Sequence, residues 1–192
     1  FFDTTGKRYI DFNSMAMCSN MGHTVHPSII KAVTDQLESM PYMYPGVSVS
    51  AQRARLGKLL ADIVPGDINT FMFPSSGTEA NEAAIRIARR YTGRHKIFSG
   101  HRSYHGHTLG TLAATGDFRK WAADGQMGDG YVKFFGPYPY AFRVGITEEE
   151  ITINSLTQLE EQLKAENPNN VAAILLECIP GTNGGVLIPP KG

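Results

Sequence analysis

The sequence predicts an α/β fold built on a mainly parallel sheet, and three observations predict it. Val171-Ala172-Ala173-Ile174-Leu175-Leu176 is apolar at every position, as suits a strand covered on both faces of a parallel sheet. Short apolar runs alternate along the chain with longer segments of helical spacing, the pattern of βαβ units. Between one such run and one such segment stands Ser75-Ser76-Gly77-Thr78-Glu79-Ala80-Asn81-Glu82, a tight Ser/Gly turn opening a helix.

Taken in order, a Thr5-Gly6 turn precedes a short strand expected over Tyr9–Phe12. A helix is predicted from Pro27 to Met40, with its proline in the first turn and Ile30, Val33, Leu37 and Met40 recurring at helical spacing. Pro41 to Val49 is a Tyr/Pro/Gly loop. Ser50 is the candidate cap of a second helix with the stripe Leu56, Leu59, Leu60 and Ile63, ended by Pro65-Gly66-Asp67. Phe71–Phe73 reads as a strand feeding the Ser/Gly turn. The helix after that turn, Thr78 to Tyr91, is expected to carry Ala84, Ile87, Ala88 and Tyr91 on one face, and Thr92-Gly93 closes it. Lys96–Ser99 follows as a strand, Leu109–Ala114 as a short helix and Val132–Phe135 as a strand. After a Pro/Tyr/Gly loop, Leu156, Leu159 and Leu163 mark a helix that stops near Asn167-Pro168 and leads into the 171–176 strand.

Composition narrows the function classes. Of 192 residues, 42% are hydrophobic and 19% charged, enough apolar material for one ordinary domain and too much for a disordered tail. Eighteen basic residues balance eighteen acidic ones, so no electrostatic footprint for nucleic acid is present. No apolar run approaches a membrane span, and no basic-then-apolar leader opens the chain. Cys18 and Cys178 share no paired spacing, and a reducing, cytoplasmic setting is the simplest expectation. The opening at Phe1 and the closing Ile188-Pro189-Pro190-Lys191-Gly192 read as the edges of a piece of a longer protein.

Three clusters carry candidate chemistry. At Ser75–Glu82, a strand, a tight turn and a helix start would aim backbone N–H groups at one point, where they and the helix dipole favour an anion such as phosphate. The same residues also satisfy a capping box, with Ser76 and Glu79 answering each other's N–H groups; remaining donors at Gly77 and Thr78 leave both readings compatible. No Gly-Lys-Ser/Thr follows and no Gly-x-Gly-x-x-Gly is present, so neither a nucleotide P-loop nor a dinucleotide fingerprint is predicted. In His101-Arg102-Ser103-Tyr104-His105-Gly106-His107, a metal site would need further converging ligands, and no metal is predicted. Tyr104, just past a strand, could instead offer its face to a flat ligand. Glu177 ends the all-apolar strand, and ligands of α/β sheets bind beyond the carboxyl ends of the strands.

Together and in this order, these residues resemble the class III, fold type I, pyridoxal-phosphate-dependent aminotransferases. Ser75 to Ala84 looks like the family's phosphate-binding motif, Arg86 to Arg94 continues that block, Tyr104-His105-Gly106 matches its aromatic-His-Gly triplet, and Glu177 its strand-end glutamate. The resemblance implies a three-layer α/β/α large domain with a mainly parallel sheet, residues 44–192 being its first part and 1–43 the N-terminal segment of a small domain. It implies pyridoxal 5'-phosphate as cofactor. Ser76, Gly77 and Thr78 would form the phosphate socket, with the Thr78 hydroxyl as a further donor. Tyr104 would stack on the pyridine ring, His105 support that neighbourhood, and Glu177 order the site near the substrate amine. Small-molecule amine and keto-acid substrates, a homodimer and no nucleic-acid or membrane partner are implied as well.

Departures refine the expectation. Gly22-His23-Thr24-Val25-His26-Pro27 carries one residue more than the family's Gly-His-x-His-Pro, and Cys178 stands where many relatives have proline. Gly181-Thr182-Asn183-Gly184-Gly185 replaces a Gly-Glu-Gly-Gly turn, which leans away from acetylornithine and ornithine enzymes and toward pyruvate-linked amine or ω-amino acid transfer. Substrate choice is expected to depend partly on the Ser14–Asn20 and Tyr42–Val47 loops. The Schiff-base lysine and the aspartate that pairs with the pyridine nitrogen are expected beyond Gly192; Lys191 sits in a Pro-Lys-Gly turn and does not match. No catalytic residue is therefore assigned in the chain, and the chain alone is expected to be inactive. A glutamate-semialdehyde-type aminomutase and a non-catalytic remnant of the fold remain open alternatives.

Overall fold

The computed structural model describes residues 1–138, 142, 144–181 and 185–191. They form two compact units, Phe1–Phe71 and Met72–Gly192.

In the first unit, the carboxylate of Asp3 accepts the N–H groups of Thr5 and Lys7 at 2.9 and 3.0 Å, and the chain reverses through Gly6. This turn supports only an isolated antiparallel bridge, Phe2 to Arg8. The strand expected over Tyr9–Phe12 does not form. Asp11 accepts the N–H groups of Asn13 and Met15, both at 2.9 Å, and an aspartate that captures local backbone donors competes with a ladder. The following turn, Ser14–Met17, holds all four residues at positive φ, a conformation that costs L-residues about 1–2 kcal/mol each.

Helix α1, Pro27–Ser39, begins with proline at its first position and His26 as its cap, the imidazole accepting the Ser28 N–H. Helix α2, Ala51–Ile63, starts where expected: the Ser50 hydroxyl accepts the Arg53 N–H at 3.4 Å. The predicted stripes are present, yet Ile30, Val33, Leu37, Leu56, Leu59 and Ile63 are all exposed.

The second unit is organised by a parallel three-stranded sheet, ordered β2-β1-β3. Its strands are β1, Lys96–Gly100, β2, Tyr131–Phe134, and β3, Val171–Leu175. Ile97 stands opposite Tyr131 on one side and Ala173 on the other. Because β1 is central, Ile97, Phe98, Ser99 and Gly100 are all buried. Strand β3 is half-buried and its Ile174 exposed, so among the described residues it is not fully covered on both faces as expected; it also has a strand neighbour on one side only among those residues. Phe71–Phe73, expected as a strand, belongs to none, because a strand is a pairing and this run enters no ladder of the sheet.

Helix α3, Gly77–Thr92, connects to β1 through the left-handed Gly93. It buries Ala83 and Ile85, and Ile85 joins Ile97 and Ala114 in the core with Tyr131, Ala172, Ala173 and Leu175 against them. The expected apolar face of Ala84, Ile87, Ala88 and Tyr91 is largely turned out, with Ile87 61% and Tyr91 90% exposed and Ala88 half-buried. A helix stripe is fixed by what it packs on, and here the buried face lies roughly half a turn away. Helix α4 is Leu109–Ala114, as expected, and α5 is Glu148–Ala165. Thr147 and Glu150 close a full capping box at the start of α5. A 3-10 turn over Phe118–Ala123, unforeseen in the sequence, is capped by Asp117. Thr182, Asn183 and Gly184, in the turn expected after Glu177, lie outside the described residues.

Candidate functional site

Helix α3 begins at a serine pair whose side chains divide the capping work. The Ser76 hydroxyl accepts the Glu79 N–H at 3.2 Å. The Glu79 carboxylate, however, reaches past Ser76 to the N–H and hydroxyl of Ser75, at 2.8 and 2.6 Å. The expected reciprocal box is thus half realised and shifted by one residue. Those Ser75 contacts hold the Glu79 carboxyl below its usual range. The N–H groups of Gly77 and Thr78 point out of the first turn of this 16-residue helix, where no carbonyl of the helix can reach them. A Cβ added at Gly77 would meet nothing within 4 Å, so the space beside its Cα is open.

Tyr104 and Glu177 meet at the carboxyl end of the sheet. Tyr104 follows β1 and Glu177 follows β3, adjacent parallel strands, and the Glu177 carboxylate accepts the Tyr104 N–H at 2.6 Å. The Tyr104 ring is half-buried and carries two further neighbours: the His107 ring edge-on at 5.3 Å and the Arg119 guanidinium 4.6 Å from its centroid. Asp117, buried, tethers Arg119 through an ion pair.

His105 is only 4% exposed. Burial, with a smaller contribution from the Lys133 charge, pulls its imidazole down to about 4, so it is neutral at physiological pH. Its Nε2 is buried without a hydrogen-bond partner. The backbone of His105 is fully used: its N–H donates to the Thr115 hydroxyl at 3.0 Å and its carbonyl accepts from Asn81 Nδ2 at 2.8 Å. Below it, the Lys133 amine donates to Ser99 Oγ and the Ala113 carbonyl, both at 2.6 Å, and burial lowers it to about 7.

Other members of the histidine cluster have separate surroundings. His101 stacks on Phe135 at 4.4 Å, and no group of three metal-ligating side chains is found among the described residues. The last lysine, Lys191, lies beside α5, where its carbonyl accepts the Thr152 hydroxyl at 3.4 Å.

The structure joins Thr78, in the first turn of α3, to the loop of Tyr104 and His105 through His107, and joins Tyr104 to Glu177 at the carboxyl end of the sheet; Ser76 and Gly77 precede Thr78 at the start of α3. Bridging contacts complete the arrangement: the Thr78 hydroxyl accepts the His107 N–H at 3.3 Å. Sequence reasoning missed Asn81, Glu82, Thr111, Thr115 and Arg119 as members of this neighbourhood. The signal for the first two was present, since positions 78, 81 and 82 share one helix face.

A pair of helix-terminal donors, an aromatic face one loop away and an orphaned buried imidazole nitrogen fit a flat, phosphate-bearing group. The comparisons with known proteins agree. The aminotransferase class-III family profile matches residues 1–192. The uncharacterized aminotransferase YhxA of Bacillus subtilis is 33% identical over 196 residues, covering 99% of this chain and 42% of that protein. Among solved structures, a taurine:2-oxoglutarate aminotransferase from Bifidobacterium kashiwanohense, in complex with PLP and glutamate, superposes with a TM-score of 0.91 at 42% identity. It is matched over 100% of this chain and 43% of its own. An (S)-enantioselective omega-transaminase from Thermomicrobium roseum gives 0.92 at 35% identity, over 100% of this chain and 44% of its own. The chain thus spans less than half the length of these relatives, and it belongs to the class-III aminotransferase family.

Proposed function

We propose that this chain carries the phosphate-and-ring half of a pyridoxal 5'-phosphate site in an enzyme that moves an amino group from an amine or ω-amino acid to a keto acid such as pyruvate. The observation that carries the reading is the pair of outward N–H groups at Gly77 and Thr78, joined by the Thr78 hydroxyl to the loop of Tyr104. Pyridoxal 5'-phosphate supplies an electron sink when bound. The protein's part is to fix it. Gly77 and Thr78 hold the phosphate on backbone donors and the positive end of the α3 dipole. The Tyr104 ring covers one face of the pyridine, and such stacking contributes about 0.5–1.5 kcal/mol beyond burial. Glu177 holds the Tyr104 backbone in place, and His105, neutral, adds no charge to that neighbourhood.

An amine or ω-amino acid donor is supported by the taurine and omega-transaminase relatives. The lysine and aspartate that complete such a site are assigned to residues outside these 192, as is part of the substrate pocket. The small-domain assignment of residues 1–43, homodimer formation and a cytoplasmic setting belong to the same proposal.

Two assays test it. The full-length protein with pyridoxal 5'-phosphate should transfer the amino group of taurine or another ω-amino donor to pyruvate or 2-oxoglutarate over many turnovers. The 192-residue chain under the same conditions should give none. No transfer by the full-length protein to either acceptor, from amine or ω-amino donors, contradicts the activity; sustained turnover by the short chain contradicts the placement of the lysine.

A further inference from the structure

We infer that Asn81 and Glu82 are positioning residues that lock the loop carrying Tyr104 to the helix carrying the phosphate socket, an inference that rests on the proposed cofactor reading. Thr78, Asn81 and Glu82 occupy positions i, i+3 and i+4 of α3 and project along one face. Each takes hold of a different residue of the loop that follows β1. The Thr78 hydroxyl accepts the His107 N–H at 3.3 Å, and Asn81 Nδ2 donates to the His105 carbonyl at 2.8 Å. Glu82 Oε1 accepts the Thr111 N–H at 3.0 Å together with the Thr108 hydroxyl. One helix face therefore fastens residues 105, 107, 108 and 111 in succession.

Glu82 also does work that α4 cannot do for itself. Thr108, the residue before α4, makes no side-chain cap bond to that helix, although Thr111 stands at the third helical position. A cap residue normally takes that N–H. Here a carboxylate from α3 takes it, and its negative charge suits a helix N-terminus. Two glycines make the approach possible. A Cβ on Gly110 would lie 2.5 Å from Glu82 Oε2, and one on Gly106 would lie 2.6 Å from Thr78 Oγ1 and 2.5 Å from Thr111 Oγ1.

The consequence for binding follows from having two anchor points. A phosphate-bearing ring is held at the start of α3 by its phosphate and at Tyr104 by its face. The Asn81 and Glu82 contacts, together with the Glu177 bond to the Tyr104 N–H, help to set the separation of these points. Removing either contact leaves the Gly77 and Thr78 donors in place while loosening the aromatic loop, which Glu177, Thr115 and Thr78 still hold in part, and a site loosened in this way binds the two-point ligand less well.

The test compares a one-point with a two-point ligand on the 192-residue chain. Inorganic phosphate probes the socket. Pyridoxamine 5'-phosphate, which forms no covalent link to a lysine, probes socket and ring together. Equilibrium binding is measured for the parent chain, Asn81→Asp, Glu82→Ala and Glu82→Gln. Asn81→Asp keeps size and removes the donor; Glu82→Gln keeps an oxygen acceptor for the Thr111 N–H. Asn81→Asp and Glu82→Ala are expected to weaken pyridoxamine 5'-phosphate on the order of tenfold, the scale of one net hydrogen bond, with phosphate affinity unchanged. Glu82→Gln restores most of the loss. Hydrogen exchange at the Thr111 amide is expected to quicken in Glu82→Ala. Unchanged pyridoxamine 5'-phosphate affinity, or parallel loss of both ligands, overturns the inference. A parent chain that binds neither ligand overturns the cofactor reading beneath it.

Discussion

Gly106 occupies a position closed to every other residue. Its φ is +144° and a Cβ there would press on the hydroxyls of Thr78 and Thr111. Gly106→Ala is expected to cost on the order of 1–3 kcal/mol, the usual range for overpacking, with backbone strain adding to it; chemical denaturation of both proteins measures the difference. His105 gives a pH signature. Its folded value of about 4 lies below the ordinary 6.5, so between these values the unfolded chain binds a proton that the folded chain does not. Stability attributable to neutral His105 is therefore intact above about 6.5 and is lost as pH falls toward about 4. In His105→Leu the fall in urea midpoint between pH 7.5 and 4.5 should be smaller than in the parent; an equal fall contradicts this account. At this scale the candidate residues Ser76, Gly77, Thr78 and Tyr104 were legible because they sit in contiguous motifs. The sequence did not disclose Arg119 against the Tyr104 ring, since that contact crosses fifteen residues and depends on the turn after α4.

Helices were most legible where their ends are written locally. Ser50, Ser76, Thr147 and Gly93 cap as their residue types dictate, and α4 falls where expected. Faces and strands were less legible because both depend on partners. Among the described residues, Phe71–Phe73 has strand composition and enters no ladder, and β3 has core composition with a strand neighbour on one side only. The reversed face of α3 yields a direct comparison. Ile85 is 5% exposed and Ile87 61% exposed. Ile85→Ala is expected to cost about 2–5 kcal/mol, as for other buried isoleucines, and Ile87→Ala within about 0.5 kcal/mol of zero. Thermal unfolding of the two variants checks which face meets the sheet. Loss of the Ser76 cap in Ser76→Ala should cost about 1 kcal/mol, typical for such positions.

Across the whole molecule, the two units differ in how much of their apolar pattern is satisfied. The second has a core centred on Ile85, Ile97 and Ala114. In the first, α1 and α2 bury no residue, although their stripes have the spacing of core-facing helices. Family and fold are read from these residues, while the proposed choice of substrates rests partly on the 14–20 and 42–47 loops and partly on residues outside them. The most direct test of the central claim is the affinity of the 192-residue chain for pyridoxal 5'-phosphate against pyridoxal, which lacks only the phosphate. Equilibrium dialysis should show the phosphorylated form bound at least about tenfold more tightly, as charge-assisted bonds to helix-terminal donors require. Equal affinity for the two, or none for either, contradicts the assignment of Gly77 and Thr78 as the phosphate socket.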